Sequence, residues 1–155
     1  MSWRIAIPSY HRAQRLKEAT LSLLQKHHIP SDRIDVFVAD DDQEWDYNTT
    51  LTAGTYGRLI IGVPGMGAIR NFMTDYYDEG DHILFVDDDI TDFLTVSDEP
   101  LGLCKFIDQA FEECAGLDLQ LWGLYPVANR YFMKPVATVD LRYIIGSMYG
   151  VINDK

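Results

Sequence analysis

The eight residues His82–Asp89, H-I-L-F-V-D-D-D, restrict this chain more than any other stretch. Ile83 to Val86 form an unbroken apolar run, with turn chemistry ahead of it in Glu79-Gly80-Asp81. An unbroken run, unlike an alternating one, marks a strand buried on both faces, as in a parallel sheet covered by helices. Open α/β sheets bind ligands at the carboxyl ends of their strands, so Asp87, Asp88 and Asp89 stand where a functional cluster belongs. Side chains alternate along extended backbone, which lets Asp87 and Asp89 converge while Asp88 faces elsewhere. Two convergent carboxylates suit Mg²⁺ or Mn²⁺ shared with a substrate phosphate. The same acids also fit a solvated turn that merely closes a strand, and the rest of the chain has to separate these readings.

Taken in order, Trp3–Pro8 (W-R-I-A-I-P) reads as a strand and Ser9-Tyr10-His11-Arg12 as the loop leaving it. From Ala13 to His27, Leu16, Ala19, Leu23 and Leu24 recur at helical spacing, and Pro30 stops that helix. Ile34–Ala39 is a second buried strand, again ending in three acids, Asp40 to Asp42, and a polar irregular segment follows to Tyr56. Leu59-Ile60-Ile61 is a third strand, opening into the Gly-rich stretch Gly62–Gly67 and a helix to Tyr77. This alternation predicts an α/β fold with a doubly wound, mostly parallel sheet and helices on both faces. Beyond Asp89, Pro100 leads an amphipathic helix over Leu101–Ala115, and strands are expected over Leu119–Leu124, Met133–Thr138 and Tyr143–Tyr149. There is no internal repeat, low-complexity tract or linker, so the 155 residues read as one domain.

Composition narrows the partners. A formal net charge of −11 argues against charge-driven binding to nucleic acid or anionic membrane, which needs clustered Lys and Arg. No apolar run approaches the roughly 20 residues of a membrane span, and no signal-peptide core opens the chain. Cys104 and Cys114, ten apart on one helix, lie about 15 Å apart along its axis and cannot pair. Unpaired thiols without a secretory signal predict a cytoplasmic protein, in the host cytoplasm if viral.

Four polar loops converge at one edge of the predicted sheet: Ser9–Arg12, Asp40–Asp42, Asp87–Asp89 and the Gly-rich turn before Arg70-Asn71. Acids there accept from base or ribose hydroxyls, Arg forks onto phosphate, and an acid pair holds a metal. The order I-A-I-P-S-Y-H-R, V-F-V-A-D-D, G-M-G-A-I-R-N and I-L-F-V-D-D-D resembles the nucleotide-sugar-binding half of GT-A glycosyltransferases, family 2-like, over about residues 3–90. The resemblance implies a nucleotide site of Pro8, Ser9, Tyr10, Arg12, Asp40, Gly67, Arg70, Asn71 and Asp87. It also implies a D-x-D of Asp87 and Asp89 holding Mn²⁺ or Mg²⁺, and a nucleoside diphosphate sugar as donor, UDP-sugar favoured. Trp122–Val127 and Asp140–Gly150 are similar to the phage and kinetoplastid group that glucosylates modified bases, which makes a hydroxymethylated base in DNA a candidate acceptor.

The family keeps its acceptor pocket and, in inverting members, its base beyond a point comparable to Gly150. Asp154 is the one acid found there, a weak candidate base in what reads as a frayed tail. Residues 91–155 are therefore expected to form a partial acceptor half, from a truncated, incomplete or partner-completed enzyme. Two rivals stand beside this reading. A non-catalytic nucleotide-sugar-binding module needs no acceptor half. Phe85–Thr91 also fits the D-x-D-x-T of haloacid-dehalogenase-like phosphatases, with Asp87 as nucleophile and Asp89 as general acid. That family carries the motif on its first strand and needs a later Lys and acid pair, whereas only Asp118, Asp140 and Asp154 follow here as isolated acids. A Rossmann dinucleotide motif fails because Arg70 stands where the third Gly belongs, and no G-K-[ST] exists for a P-loop. His27-His28 reads as a helix end, Asn48-Thr49-Thr50 as a sequon without a secretory context, and Arg130, Lys134 and Arg142 as solvated surface.

Overall fold

A computed structural model describes residues 2–95, 101–125, 129, 131, 133–134, 136–140, 144 and 146–155. Six strands form one sheet in the order β3-β2-β1-β4-β6-β5: β1 Trp3–Pro8, β2 Ile34–Val38, β3 Arg58–Ile61, β4 His82–Val86, β5 Leu121–Gly123 and β6 Met148–Ile152. β1 pairs parallel with β2 and β4, and β2 with β3, while β6 runs antiparallel to β4 and β5. The sheet is the doubly wound, mostly parallel one that the alternation predicts.

Strand alternation divides the core into two layers. Trp3, Ile5, Ile7, Ile34, Val36, Val38, Leu84 and Val86 face one side, under the 13–26 and Leu103–Gly116 helices and Tyr47 of the Asp41–Thr50 helix. Ala6, Phe37, Ile83 and Phe85 face the other, under Ile69 and Met73 of the Met66–Tyr76 helix. Asp35 and Arg4 share this second face, which is why a charged network appears inside an otherwise apolar layer. Chain order reverses between β1 and β4, so the carboxyl ends of these two strands bound the crevice where ligands of such sheets sit.

Three expectations change. The segment after Asp40 is helical over Asp41–Thr50, with the Asp40 side chain capping it by accepting from Gln43 N at 3.0 Å. Asp-x-x-Gln is a capping-box spacing, and it outweighed a sequence with almost no apolar periodicity. The last strand begins at Met148 and runs to Ile152, and the described residues of Met133–Thr138 form no strand. The chain end is no frayed tail: Asn153 is buried and its Nδ2 donates to the carbonyls of Thr74, Tyr77 and Asp78 at 3.0–3.1 Å. Pro100, Pro126–Val127, Arg130, Arg142 and Tyr143 lie outside the described residues.

Candidate functional site

The three-acid turn sits at the end of β4, beside the loop that leaves β1. Asp88 is buried, whereas the side chains of Asp87 and Asp89 are 34% and 42% exposed. The buried carboxylate ties the two strand ends together. Ser9 Oγ donates to Asp88 Oδ2 at 2.6 Å, and Arg12 Nη2 donates to Asp88 Oδ1 at 2.5 Å. Ser9 Oγ also lies 2.6 Å from the Tyr47 hydroxyl, which in turn accepts from Arg12 N at 3.1 Å. The preceding residue, His11, holds a positive φ of 52°, and its N–H donates to Gln43 Oε1 at 3.0 Å. The loop is thus strapped from both sides, by the acid turn and by the Asp41–Thr50 helix.

Thr20 secures the turn from below. It lies in a π-helical stretch, Lys17–Leu21, between the α-helical pieces Ala13–Leu16 and Ser22–Lys26. Its Oγ1 donates to the Asp87 carbonyl at 2.8 Å and accepts from Ile90 N at 2.9 Å. A wide turn of this kind lets a helix aim a side chain away from its regular spacing, and such turns recur at functional sites.

The two exposed acids each meet a guanidinium. Arg70 Nη2 donates to Asp87 Oδ1 at 2.8 Å, with Nη1 on the Tyr149 hydroxyl at 3.0 Å. Arg12 Nη1 lies 3.3 Å from Asp89 Oδ2. Burial raises the Asp87 pKa, Arg70 opposes this, and the neighbouring charges of Asp89 and Asp88 reinforce the rise. A cation between these carboxylates would relieve that repulsion. Among the described residues no three His, Cys, Asp or Glu side chains form a ready-made metal site. Two half-exposed, oxygen-only donors instead fit a cation such as Mg²⁺, which keeps waters and takes the rest of its shell from phosphate. Asp87 and Asp89 would hold it. Beside Arg12, an open groove of about 400 Å³ is lined by His11, Arg12, Gln14, Arg15, Asp46 and Thr50, a polar surface with cationic groups on one wall.

Of the residues expected at the nucleotide and the metal, the structure brings Ser9, Arg12, Arg70, Asp87 and Asp89 to one cluster around Asp88. Ser9 is buried with its hydroxyl committed inward, where it acts as a strut under Asp88. Pro8 ends β1, and Tyr10 is 57% exposed on the loop rim. Asp40 is exposed, but its carboxylate is engaged by its own helix. Gly67 stands at the first turn of the Met66–Tyr76 helix, with open space among the described residues beyond its own helix where a Cβ would sit. Asn71 is exposed and turned about 100° around the helix from Arg70. Asp154 is removed from the site altogether. β6 is antiparallel to β4, with Ile152 opposite His82 and Met148 opposite Val86, so Asp154 follows the strand at the sheet edge remote from the acids. It does not serve the cluster as a base.

Thr20, Tyr47 and Tyr149 were not singled out from sequence. A helical Thr, a Tyr on a polar helix and a Tyr in a strand carry no spacing signal; only the fold brings them to the turn.

No family model matches the chain, and no curated protein sequence matches it. Among solved structures it is similar to the glycosyltransferase GlyE of Streptococcus pneumoniae TIGR4, at 16% identity and a TM-score of 0.47, covering 98% of this chain. The chain spans 34% of that protein's length. Among the described residues no helix is long and apolar enough to cross a membrane.

Proposed function

We propose that this chain binds a nucleoside diphosphate sugar, UDP-sugar favoured, with Mn²⁺ or Mg²⁺ at Asp87 and Asp89, and that it serves glycosyl transfer to an acceptor hydroxyl. One observation carries the reading: two half-exposed carboxylates flank a buried, doubly anchored Asp88 at the β1/β4 crevice, with a guanidinium on either side. A solvated turn needs no such scaffold, because exposed acids are stable without partners. When bound, the cation neutralises charge building on the departing diphosphate. The chain's own residues orient the two acids through Ser9, Thr20 and Tyr47, and they supply Arg12 and Arg70 as phosphate donors. A base in DNA carrying a hydroxymethyl group is one acceptor of the right chemistry.

The binding-module reading keeps its weight, because Asp154 lies at the remote sheet edge and no other acid was singled out as base. The phosphatase reading loses ground, since the D-x-D-x-T stands on the fourth strand of the chain and Asp87 is paired with Arg70. Calorimetric titration of UDP with and without Mn²⁺, against wild type and Asp89→Ala, tests the proposal. Metal-dependent binding lost in the variant supports it, and release of sugar from UDP-sugar then separates enzyme from binder. Absence of binding to UDP and other nucleoside diphosphates refutes it.

A further inference from the structure

We infer that Arg70 is an exchangeable counter-ion: it gives up Asp87 to an incoming divalent cation and turns to the diphosphate, so that cation and nucleotide bind as a coupled pair. The inference rests on the nucleotide reading above and names the device that regulates that site.

The two arginines at the acid turn are held differently. Arg12 grips Asp88, a buried carboxylate also bound by Ser9, so that contact is part of the scaffold. Arg70 meets Asp87 through a single nitrogen, and the two side chains are 26% and 34% exposed. A single-nitrogen ion pair whose partners are both partly open to water contributes modest net free energy, which makes it exchangeable. The second anchor of Arg70 is the Tyr149 hydroxyl at 3.0 Å. That ring is fixed by a stack on Phe85, with centroids 5.0 Å apart and planes 11° from parallel. The guanidinium carbon lies 5.8 Å from the Tyr149 ring centre. Tyr149 therefore supplies a stationary pivot that keeps the guanidinium near the site while its other face changes partner. A Cβ built on Gly146 would stand 4.0 Å from Arg70 Nη2, an ordinary contact distance.

Charge makes the exchange cooperative. Three carboxylates and two guanidiniums leave the turn with one net negative charge. A diphosphate arriving alone meets that negative charge and acids whose cations are already engaged. A divalent cation arriving alone meets Arg70 on the carboxylate it needs. Together, the cation takes Asp87 and the freed guanidinium takes phosphate, so each ligand removes the obstacle to the other. Linkage requires the same factor in both directions.

The test is calorimetry on the full chain with Mn²⁺ alone, UDP alone and both, for wild type, Arg70→Gln and Tyr149→Phe. In wild type, saturating UDP should tighten Mn²⁺ binding about tenfold or more. Arg70→Gln should bind Mn²⁺ alone about fivefold tighter and lose most of that coupling. Tyr149→Phe keeps the stack and removes the pivot, so it should shift both quantities the same way by a smaller factor, independently of how well the Arg70 variant folds. Unchanged or weaker Mn²⁺ binding in the two variants overturns the inference. Wild type that binds both ligands without coupling overturns it while sparing the nucleotide reading. Wild type that binds neither ligand overturns both.

Discussion

Replacing Asp35 by asparagine should cost about 3 kcal/mol of folding stability. Asp35 is fully buried on β2 and accepts two hydrogen bonds from Arg4, two from Arg58 and one from the Tyr77 hydroxyl, all at 2.6–2.8 Å. Asparagine keeps the shape but leaves one carbonyl acceptor and turns an amide N–H₂ toward guanidinium donors. Breaking a buried ion pair from one side costs about 3–5 kcal/mol. The Arg4 and Arg58 side chains are 31% and 43% exposed, so water recovers part of their solvation and places the loss at the lower end. Urea unfolding followed by circular dichroism reads this directly. With a slope of about 2 kcal/mol/M, the midpoint should fall by about 1.5 M at pH 7. The pH dependence is a second readout. Burial pushes the Asp35 carboxyl up, but the bonds from Arg4, Arg58 and Tyr77 outweigh it and hold the pKa below its ordinary value. The stabilisation is therefore complete above the unfolded pKa of about 3.9, and it is lost as pH falls through the lower folded value. Below about pH 4 the wild-type midpoint should fall more steeply than that of the variant. A loss under about 1 kcal/mol, or parallel acid profiles, would refute the argument.

Thr20→Val removes both bonds to the acid turn. It should cost about 1–2 kcal/mol in urea unfolding and weaken Mn²⁺-dependent UDP binding by about tenfold in calorimetry. Gly150→Ala drives a Cβ to 2.1 Å from Trp122 Nε1 on the paired strand β5, and a stability loss of about 2 kcal/mol is expected from the same unfolding assay. Asp88→Asn removes the charge that Arg12 grips. UDP affinity should drop at least as far as in Asp89→Ala, accompanied by a lower melting temperature that Asp89→Ala, a half-exposed change, should not show. Asp154→Asn should leave UDP affinity and any sugar release within about twofold of wild type, less than the tenfold of a 1.4 kcal/mol contact.

The strands that position the site were legible because Ile34–Val38 and His82–Val86 are buried on both faces, and a run of large apolar residues has few other uses. The inward placement of Asp88 between two half-exposed acids was also legible, although Asp88 and Asp89 stand in a turn beyond β4 and share the Arg12 guanidinium. Three features were hidden for different physical reasons. The Asp41–Thr50 helix has almost no apolar stripe and is announced only by its cap. The bounds of the last strand were hidden because Tyr143–Tyr149 and Met148–Ile152 are comparably rich in β-formers, and pairing depends on a partner far away in sequence. Asp154 was considered because it is near in sequence to where a base is expected; the antiparallel direction of β6, which no local pattern encodes, carries it to the opposite edge.

That antiparallel strand also bears on how the molecule comes into being. β6, synthesised after the other five strands of the described residues, lies inside the sheet between β4 and β5. Until Met148–Ile152 emerges, a nascent chain holds β4 as an open edge, with the row of amide and carbonyl groups that invites pairing with a neighbour. The acid turn hangs from the end of that strand, and Asp87 N is bonded to the Ser147 carbonyl at 2.9 Å, just ahead of β6. Closure of the sheet and completion of the turn are thus one late event, and it joins residues far apart in sequence, the kind of pairing that folds slowly. A shortened chain lacking β6 would forfeit the backing of its acids and expose its central sheet together, so misassembly and loss of ligand binding should appear in the same molecules.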